Sequence, residues 1–250
     1  MVSFQAKLAE GLTARGIQVC NDLDEAPYDA VLITGGTRAL GGLWQARRRG
    51  VRVVQRLDGI NWLHRRQPTP WRHYLRAESG NLLLAFLRAR MATAIVYQSE
   101  FVRGWWQDWF GPAHLPSTVI HNGVNLAAYT PEGPGERPAK RCRLLVVEGS
   151  LSGGYDRGLA TAVQLAELLG EKGFPMELMV VGQTSPAQQE TYRTHSRVPI
   201  LWAGALPRER IPAPDRSAHL LYSADLNAAC PNSVIEALAC GLPVVAFDTG

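Results

Sequence analysis

The sequence predicts an α/β protein made of two αβα sandwiches in series. Three observations carry that prediction. Short apolar runs rich in Val and Ile recur along the 250 residues, separated by stretches of helical periodicity. Such runs read as parallel strands covered on both faces, because a strand buried on both sides shows no polar alternation. A stretch at 130–140 with three prolines and two glycines interrupts the pattern, and the alternation restarts after it. The domains expected are 1–125, a linker at 126–140, and 141–250.

Taken in order, Phe4, Leu8 and Leu12 share one helix face, with Ser3 as cap. Strands are expected at Ile17–Cys20, Ala30–Thr34 and Val51–Gln55, with a helix at Arg38–Arg49 between the last two. A helix at Trp71–Arg90 leads to strand Ala94–Gln98. Ser99 opens an aromatic-rich helix, and strand Thr118–His121 closes the half. After the linker come strand Leu144–Val147, helix Gly158–Glu171, strand Met176–Val181, helix Pro186–His195 and strand Val198–Ala203. A short helix near Arg208–Arg210, strand His219–Tyr222, helix Ser233–Cys240 and strand Pro243–Phe247 follow. Five strands make a small doubly wound domain, whose ligands sit at the carboxyl ends of the strands. Such a domain normally begins with a central strand, yet Met1 falls on the first helix, and the sequence stops at Gly250 just after a strand. Both domains are therefore read as incomplete, and the chain as a fragment.

Composition narrows the function classes. With 46% apolar and 19% charged residues the chain is ordinary for a folded protein and too apolar for a disordered one. The longest apolar stretch, Leu82 to Val96, is interrupted by Arg88 and Arg90, so no membrane span is expected. Residues 1–5 show no signal-peptide pattern, which reads as a cytoplasmic protein. Cys20, Cys142, Cys230 and Cys240 lack metal-ligand spacing and read as reduced thiols. Residues 1–125 carry 15 Lys+Arg against 9 Asp+Glu, whereas 126–250 carry 11 against 13. A basic first half suits phosphates, an anionic membrane surface or nucleic acid, and equally a merely solvated surface.

Four segments can carry chemistry. The first, 147–158, joins a strand to a helix and holds Gly149, Gly153, Gly154 and Gly158. Glycines let backbone N–H groups approach an anion, the helix start adds partial positive charge, and Arg157 adds a fork of donors. The second, Asn232-Ser233-Val234-Ile235-Glu236, contains Ser-x-x-Glu, a capping box in which Glu236 holds the first turn. A carboxylate there can also accept hydrogen bonds from a ribose diol. The third, Arg56-Leu57-Asp58-Gly59-Ile60-Asn61-Trp62, follows a strand end. Asp58 can accept hydroxyl bonds and Trp62 can stack on a sugar face, or the pair is an Asp-Gly turn with core filler. The fourth, Asn122-Gly123-Val124-Asn125, reads as a turn that starts the crossing between domains.

Together these segments resemble the retaining glycosyltransferases of family 4, the group 1 transferases of the GT-B fold. The specific match is Asn232 through Glu236 to Ala239-Cys240-Gly241-Leu242-Pro243-Val244-Val245. Asn122-Gly123-Val124-Asn125 resembles the family's Asn-Gly-Val-Asp, and the loop Gly149 to Gly158 occupies the place of its diphosphate loop. The resemblance implies two Rossmann-like domains in series, of the GT-B type, both incomplete here. It implies a nucleotide-diphosphate sugar donor held by the second domain, with no cofactor and no obligatory metal. By matching position Gly149, Ser150, Gly153, Gly154, Arg157 and Gly158 serve the diphosphate. Asn232, Ser233 and Glu236 serve the ribose and sugar, Asp58 is the catalytic position, and Gly59 and Trp62 lie on the acceptor side. The acceptor implied is a glycan or a lipid-linked molecule, with no nucleic acid partner. The basic first half and Trp105, Trp106 and Trp109 then read as a peripheral contact with the inner membrane face. Three positions depart from the pattern. Ser150 replaces an Arg, Ala228 replaces an acid eight residues before Glu236, and Arg56-Leu57-Asp58 offers no histidine. They support the alternative of a non-catalytic nucleotide- or glycan-binding relic; an epimerase of the same architecture is a third reading.

Overall fold

A computed structural model describes residues 2–151 and 156–248, with the side chains of Val2, Ser3 and Asp156 outside that description. The side chain of the expected cap Ser3 and the loop residues Gly153 and Gly154 thus lie outside that description. The chain divides into two compact units, the first ending at Asn122 and the second beginning at Gly123.

The first unit contains α1 (Val2–Thr13), β1 (Ala30–Ile33), α2 (Leu40–Arg48), β2 (Arg52–Leu57) and α3 (Leu63–Arg66). It continues with α4 (Trp71–Phe86), which runs into a π turn at Leu87–Met91, then β3 (Ala94–Tyr97), α5 (Glu100–Phe110) and β4 (Ser117–Val119). The strands form one parallel sheet in the order β1-β2-β3-β4. Val53, Leu57, Ile95 and Tyr97 are fully buried, as expected of strands covered on both faces. Leu43 of α2 and Leu87 of the π turn pack on Ile33 and Val53. The Ser99 hydroxyl accepts from the Val102 N–H at 3.2 Å and caps α5, as the sequence spacing predicts.

The strand expected at Ile17–Cys20 does not form. The segment lies across a groove of about 780 Å³ from β1, with α1 on its flank. No described strand lies close enough to give these four residues a hydrogen-bonding ladder, and β propensity alone does not hold a strand. Ile17 and Val19 stay exposed.

The second unit contains β5 (Cys142–Ser150), α6 (Asp156–Glu171), β6 (Met176–Gln183), α7 (Pro186–His195) and β7 (Ile200–Gly204). A 3₁₀ turn at Arg208–Arg210 leads to α8 (Pro212–Ser217), β8 (Leu220–Tyr222), α9 (Asn232–Ala239) and β9 (Val244–Val245). Its sheet is parallel throughout, in the order β7-β6-β5-β8-β9, with β5 at the centre. Leu144, Val146, Leu178 and Val180 meet Leu159, Ala162 and Ala166 of α6 on one face. Leu145, Val181 and Leu221 meet Ala237 and Cys240 on the other. At the amino ends of the strands Arg143 Nε donates to Glu177 at 2.6 Å and Nη1 to the Ser217 hydroxyl at 2.9 Å, joining β5, β6 and α8.

The stretch 126–140 lies on this second unit. Tyr129 is buried in its core, and Arg216 of α8 donates to the carbonyls of Thr130 at 2.7 Å and Ala128 at 3.1 Å. The expected capping box at Ser233 and Glu236 is absent. α9 starts at Asn232 with Pro231 as its N-cap, and no side chain caps it. Glu236 therefore sits in the second turn, and Pro231, as a proline, has no backbone N–H for it to accept.

Candidate functional site

Because the second sheet is wholly parallel, the loops that follow its strands gather along one edge. β5 ends there in Glu148-Gly149-Ser150 before the turn into α6. Gly149 and Ser150 are exposed, and so is Arg157 in the first turn of α6. A helix start with an exposed guanidinium beside it is a place where an anion can bind.

Two glycines make this edge possible. A Cβ at Gly158 would lie 2.7 Å from the Ala224 Cβ, so the glycine lets the start of α6 close on the loop after β8. Gly182 has φ +147°, and a Cβ there would lie 2.2 Å from the Glu148 carbonyl oxygen. It allows the end of β6 to run tightly against β5, where the ladder shifts register between Val147 and Ser150. Burial, aided by the charge of Asp225, pushes the Glu148 carboxyl up to about 7.

The loop after β8 leads into α9. Asn232 and Ser233 open that helix, half-buried, and Glu236 is 8% exposed. Arg208, from the 3₁₀ turn after β7, approaches Glu236 with its Nε 3.7 Å from Oε1. The Tyr129 hydroxyl donates to the Arg208 carbonyl at 3.3 Å, and the Arg208 guanidinium lies 5.9 Å from the Tyr129 ring centroid. Burial first, and the Glu236 charge second, push the Tyr129 hydroxyl up to about 12, so it stays a donor. Asp215 of α8 is 1% exposed, and neither carboxylate oxygen has a hydrogen-bond partner. Burial and the neighbouring Glu236 charge push it up to about 7, against the pull of Arg216. Sequence reasoning missed Arg208, Tyr129 and Asp215. For Arg208 the available signal was a basic residue in the turn after a strand end. Tyr129 and Asp215 gave none, because only the packing of α8 on α9 and of 126–140 on the unit brings them in.

In the first unit Asp58 follows β2 and is half-buried. Its carbonyl accepts from the fully buried Trp106 indole at 2.8 Å, which fixes the backbone of the loop. Burial raises its carboxyl above the ordinary range, while its own backbone N–H and the Arg56 charge oppose the rise. Arg56 donates to Asn122 Oδ1 at 2.5 Å and lies over the Phe4 ring, 3.7 Å from the centroid. Asn122, expected only in a turn, thus anchors the end of β2 from the far side of the sheet. Gly59 and Trp62 sit half-exposed in the same loop. The tryptophans of α5 are not equally placed, since Trp105 and Trp109 are partly exposed and Trp106 is not. Trp106 is fully buried, Trp109 lies under Arg65, and Trp105 packs on Phe101 and Trp109.

No three His, Cys, Asp or Glu side chains among the described residues are placed to hold a metal ion. No described helix is long and apolar enough to cross a membrane.

Comparisons with known proteins bear on the family and on the fold. Residues 143–250 match the family of group 1 glycosyl transferases. The fold of the chain is that of the GT-B glycosyltransferases, with two Rossmann-like units. Sucrose-phosphate synthase from Thermosynechococcus elongatus superposes with a TM-score of 0.65 at 17% identity, over 98% of this chain and 60% of that one. HepE from Anabaena, whose structure holds UDP and glucose, gives 0.65 at 17% identity, over 89% and 60%. Trehalose 6-phosphate synthase from Burkholderia multivorans gives 0.60 at 16%, over 96% and 59%. The chain thus spans about 60% of the length of the glycosyltransferases it superposes on. A comparison with curated protein sequences returns no match.

Proposed function

We propose that this chain is the catalytic body of a retaining family 4 glycosyltransferase. In this reading it moves a sugar from a nucleotide-diphosphate donor to a glycan or lipid-linked acceptor in the cytoplasm. The observation that carries the reading is Glu236, a buried carboxylate in a unit that matches the group 1 family, in the same unit as the start of α6 with its exposed Arg157. Glu236 accepts hydrogen bonds from the ribose diol, with the Arg208 guanidinium beside it at 3.7 Å. The diphosphate lies at the start of α6 with Arg157 and the N–H groups of Gly149 and Ser150. As the bond between the anomeric carbon and the phosphate oxygen breaks, negative charge collects on the diphosphate. Donors already aimed at it stabilise that charge. The acceptor hydroxyl oxygen forms the new bond on the same face and passes its proton to the departing phosphate oxygen. Asp58, with a carboxyl raised by burial, hydrogen-bonds the reacting sugar in the first unit.

Two residues favour a second reading, a binding relic that holds nucleotide without transfer. Ser150 supplies no second cation, and Ala228 is buried and apolar where an acid would be expected. The test is calorimetry with UDP and GDP, followed by hydrolysis of a panel of nucleotide sugars. The transferase reading expects diphosphate binding together with slow donor hydrolysis that Asp58→Asn abolishes while leaving nucleotide affinity unchanged. Binding without hydrolysis supports the relic. No binding of either nucleotide overturns both readings.

A further inference from the structure

The helix α4 has two apolar faces. Ala77, Asn81 and Leu84 face inward and are buried. Trp71, Leu75, Leu82 and Phe86 recur at spacings of four, seven and four, and all are exposed, Trp71 by 68% and Leu82 by 61%. At about 100° per residue these four fall on one stripe roughly 60° wide, opposite the buried face. Core packing does not account for an outward stripe of this kind, and its cost in water is the sign of a contact.

The charge around it has one sign. Residues 38–92 hold twelve arginines and no lysine, with Asp58 and Glu78 as their only acids. Glu78 is already taken by Arg65 and His64, at 2.8 Å from Arg65 Nη2 and 2.8 Å from His64 Nε2. Arg72 and Arg76 flank the stripe on α4 itself, both exposed. α2 packs beside the π turn, where the Arg47 guanidinium donates to the Arg90 carbonyl. On α2 the exposed Trp44 carries Arg48 over its ring at 4.6 Å.

We propose that the outward face of α4, with the arginines that flank it, docks on an anionic lipid bilayer. A helix lying in the bilayer interface needs this combination, an apolar stripe beneath and cations level with the headgroups. Nucleic acid would satisfy the arginines and leave Leu75, Leu82 and Phe86 in water. A second copy joined face to face would set like charges against each other. The bilayer satisfies both the aliphatic stripe and the arginines. The inference stands apart from glycosyl transfer, since docking needs neither donor nor acceptor. It places membrane contact on α4 instead of the tryptophans of α5.

The test is co-sedimentation of the 250-residue chain with phosphatidylcholine vesicles, with and without about 30% phosphatidylglycerol. The chain is expected to pellet with the anionic vesicles only and to be released at about 0.5 M salt. Neutralising Arg72 and Arg76 to Gln should weaken binding by about fivefold per arginine. Leu75→Glu with Leu82→Glu should abolish it. All four positions are exposed, so melting temperatures should stay at the parent's value and certify the variants. No pelleting at low salt, equal pelleting on phosphatidylcholine alone, or unchanged binding by the leucine variants would each overturn the proposal. So would a dimer in the parent that the leucine variants dissociate without any vesicle binding. Binding of a short RNA that tracks the arginines and ignores the leucines, in the absence of vesicle binding, would overturn it in favour of nucleic acid.

Discussion

Arg208 holds Glu236 from one side at 3.7 Å, while the unpartnered carboxyl of Asp215 faces Glu236 from α8. Arg208 stands beside Glu236, whereas Asp215 has only the pull of Arg216 against burial and the Glu236 charge, and its carboxyl is pushed up to about 7.

This pairing makes stability depend on pH. The folded Asp215 binds its proton more tightly than the unfolded chain does, with a value raised from 3.8 to about 7. Its contribution is therefore fully present below about pH 4 and is lost as pH rises towards 7. Asp215→Asn keeps a neutral group at every pH. The variant should melt above the parent at pH 8, by on the order of 2 kcal/mol or a few degrees, and the gap should close towards pH 4. Thermal melts at several pH values check this; parallel curves for the two proteins would refute it.

Glu236→Gln removes the charge that Arg208 approaches and that the proposed ribose contact would use. Because α9 is not capped by Glu236, the helix should remain intact. UDP affinity should drop by about 1.5–3 kcal/mol, the worth of a charge-assisted hydrogen bond. The melting temperature at pH 8 should hold, because relief of Asp215 offsets the lost ion pair. Calorimetry and a melt on the same sample separate the two effects.

Arg157 is exposed at the start of α6 and carries no fold contact through its guanidinium among the described residues. Arg157→Ala should leave the melting temperature within experimental scatter and weaken nucleoside diphosphate binding about tenfold or more. It should affect the corresponding nucleoside much less. Equal losses for nucleoside and diphosphate would remove Arg157 from the anion site.

Gly182→Ala inserts a methyl group 2.2 Å from a backbone oxygen at φ +147°. The strand end must shift, at a cost of about 2 kcal/mol or more. Since the displaced partner is Glu148, next to Gly149, a variant that still folds should also lose nucleotide affinity. A variant that binds like the parent would show that the β5–β6 approach does not shape the anion loop.

Much of the second unit was legible because its strands are continuous apolar runs and its helices carry clear starts. Ser185 even supplies a full capping box with Gln188 at the start of α7. Glu236 was read as holding its helix's first turn, a local role that the structure does not give it. A one-residue difference in where a helix starts moves a side chain from the cap to the second turn, and spacing alone does not fix that residue. The strand at 17–20 was misread for a different reason: its residues favour β structure, but pairing is a tertiary event. Tyr129 and Asp215 carried no local pattern; Arg208 offered only a basic residue after a strand end, and Asn122 a turn signal that says nothing of its contact with Arg56. The stripe on α4 was hidden by its own composition, since Leu and Phe on a helix ordinarily signal core.

The groove beside β1 has a consequence for handling the protein in bulk. β1 offers one backbone edge to no described strand and shows Leu32 to solvent. Across the groove lies a β-prone segment, 17–20, that is equally unpaired. One chain thus carries both a template and a strand that fits it, and neighbouring copies can trade them head to tail. Such addition does not close on itself, so it grows by elongation once a seed exists. Concentration, more than temperature, then sets how long a preparation stays clear, and a lag followed by rising turbidity is the signature to watch for in storage.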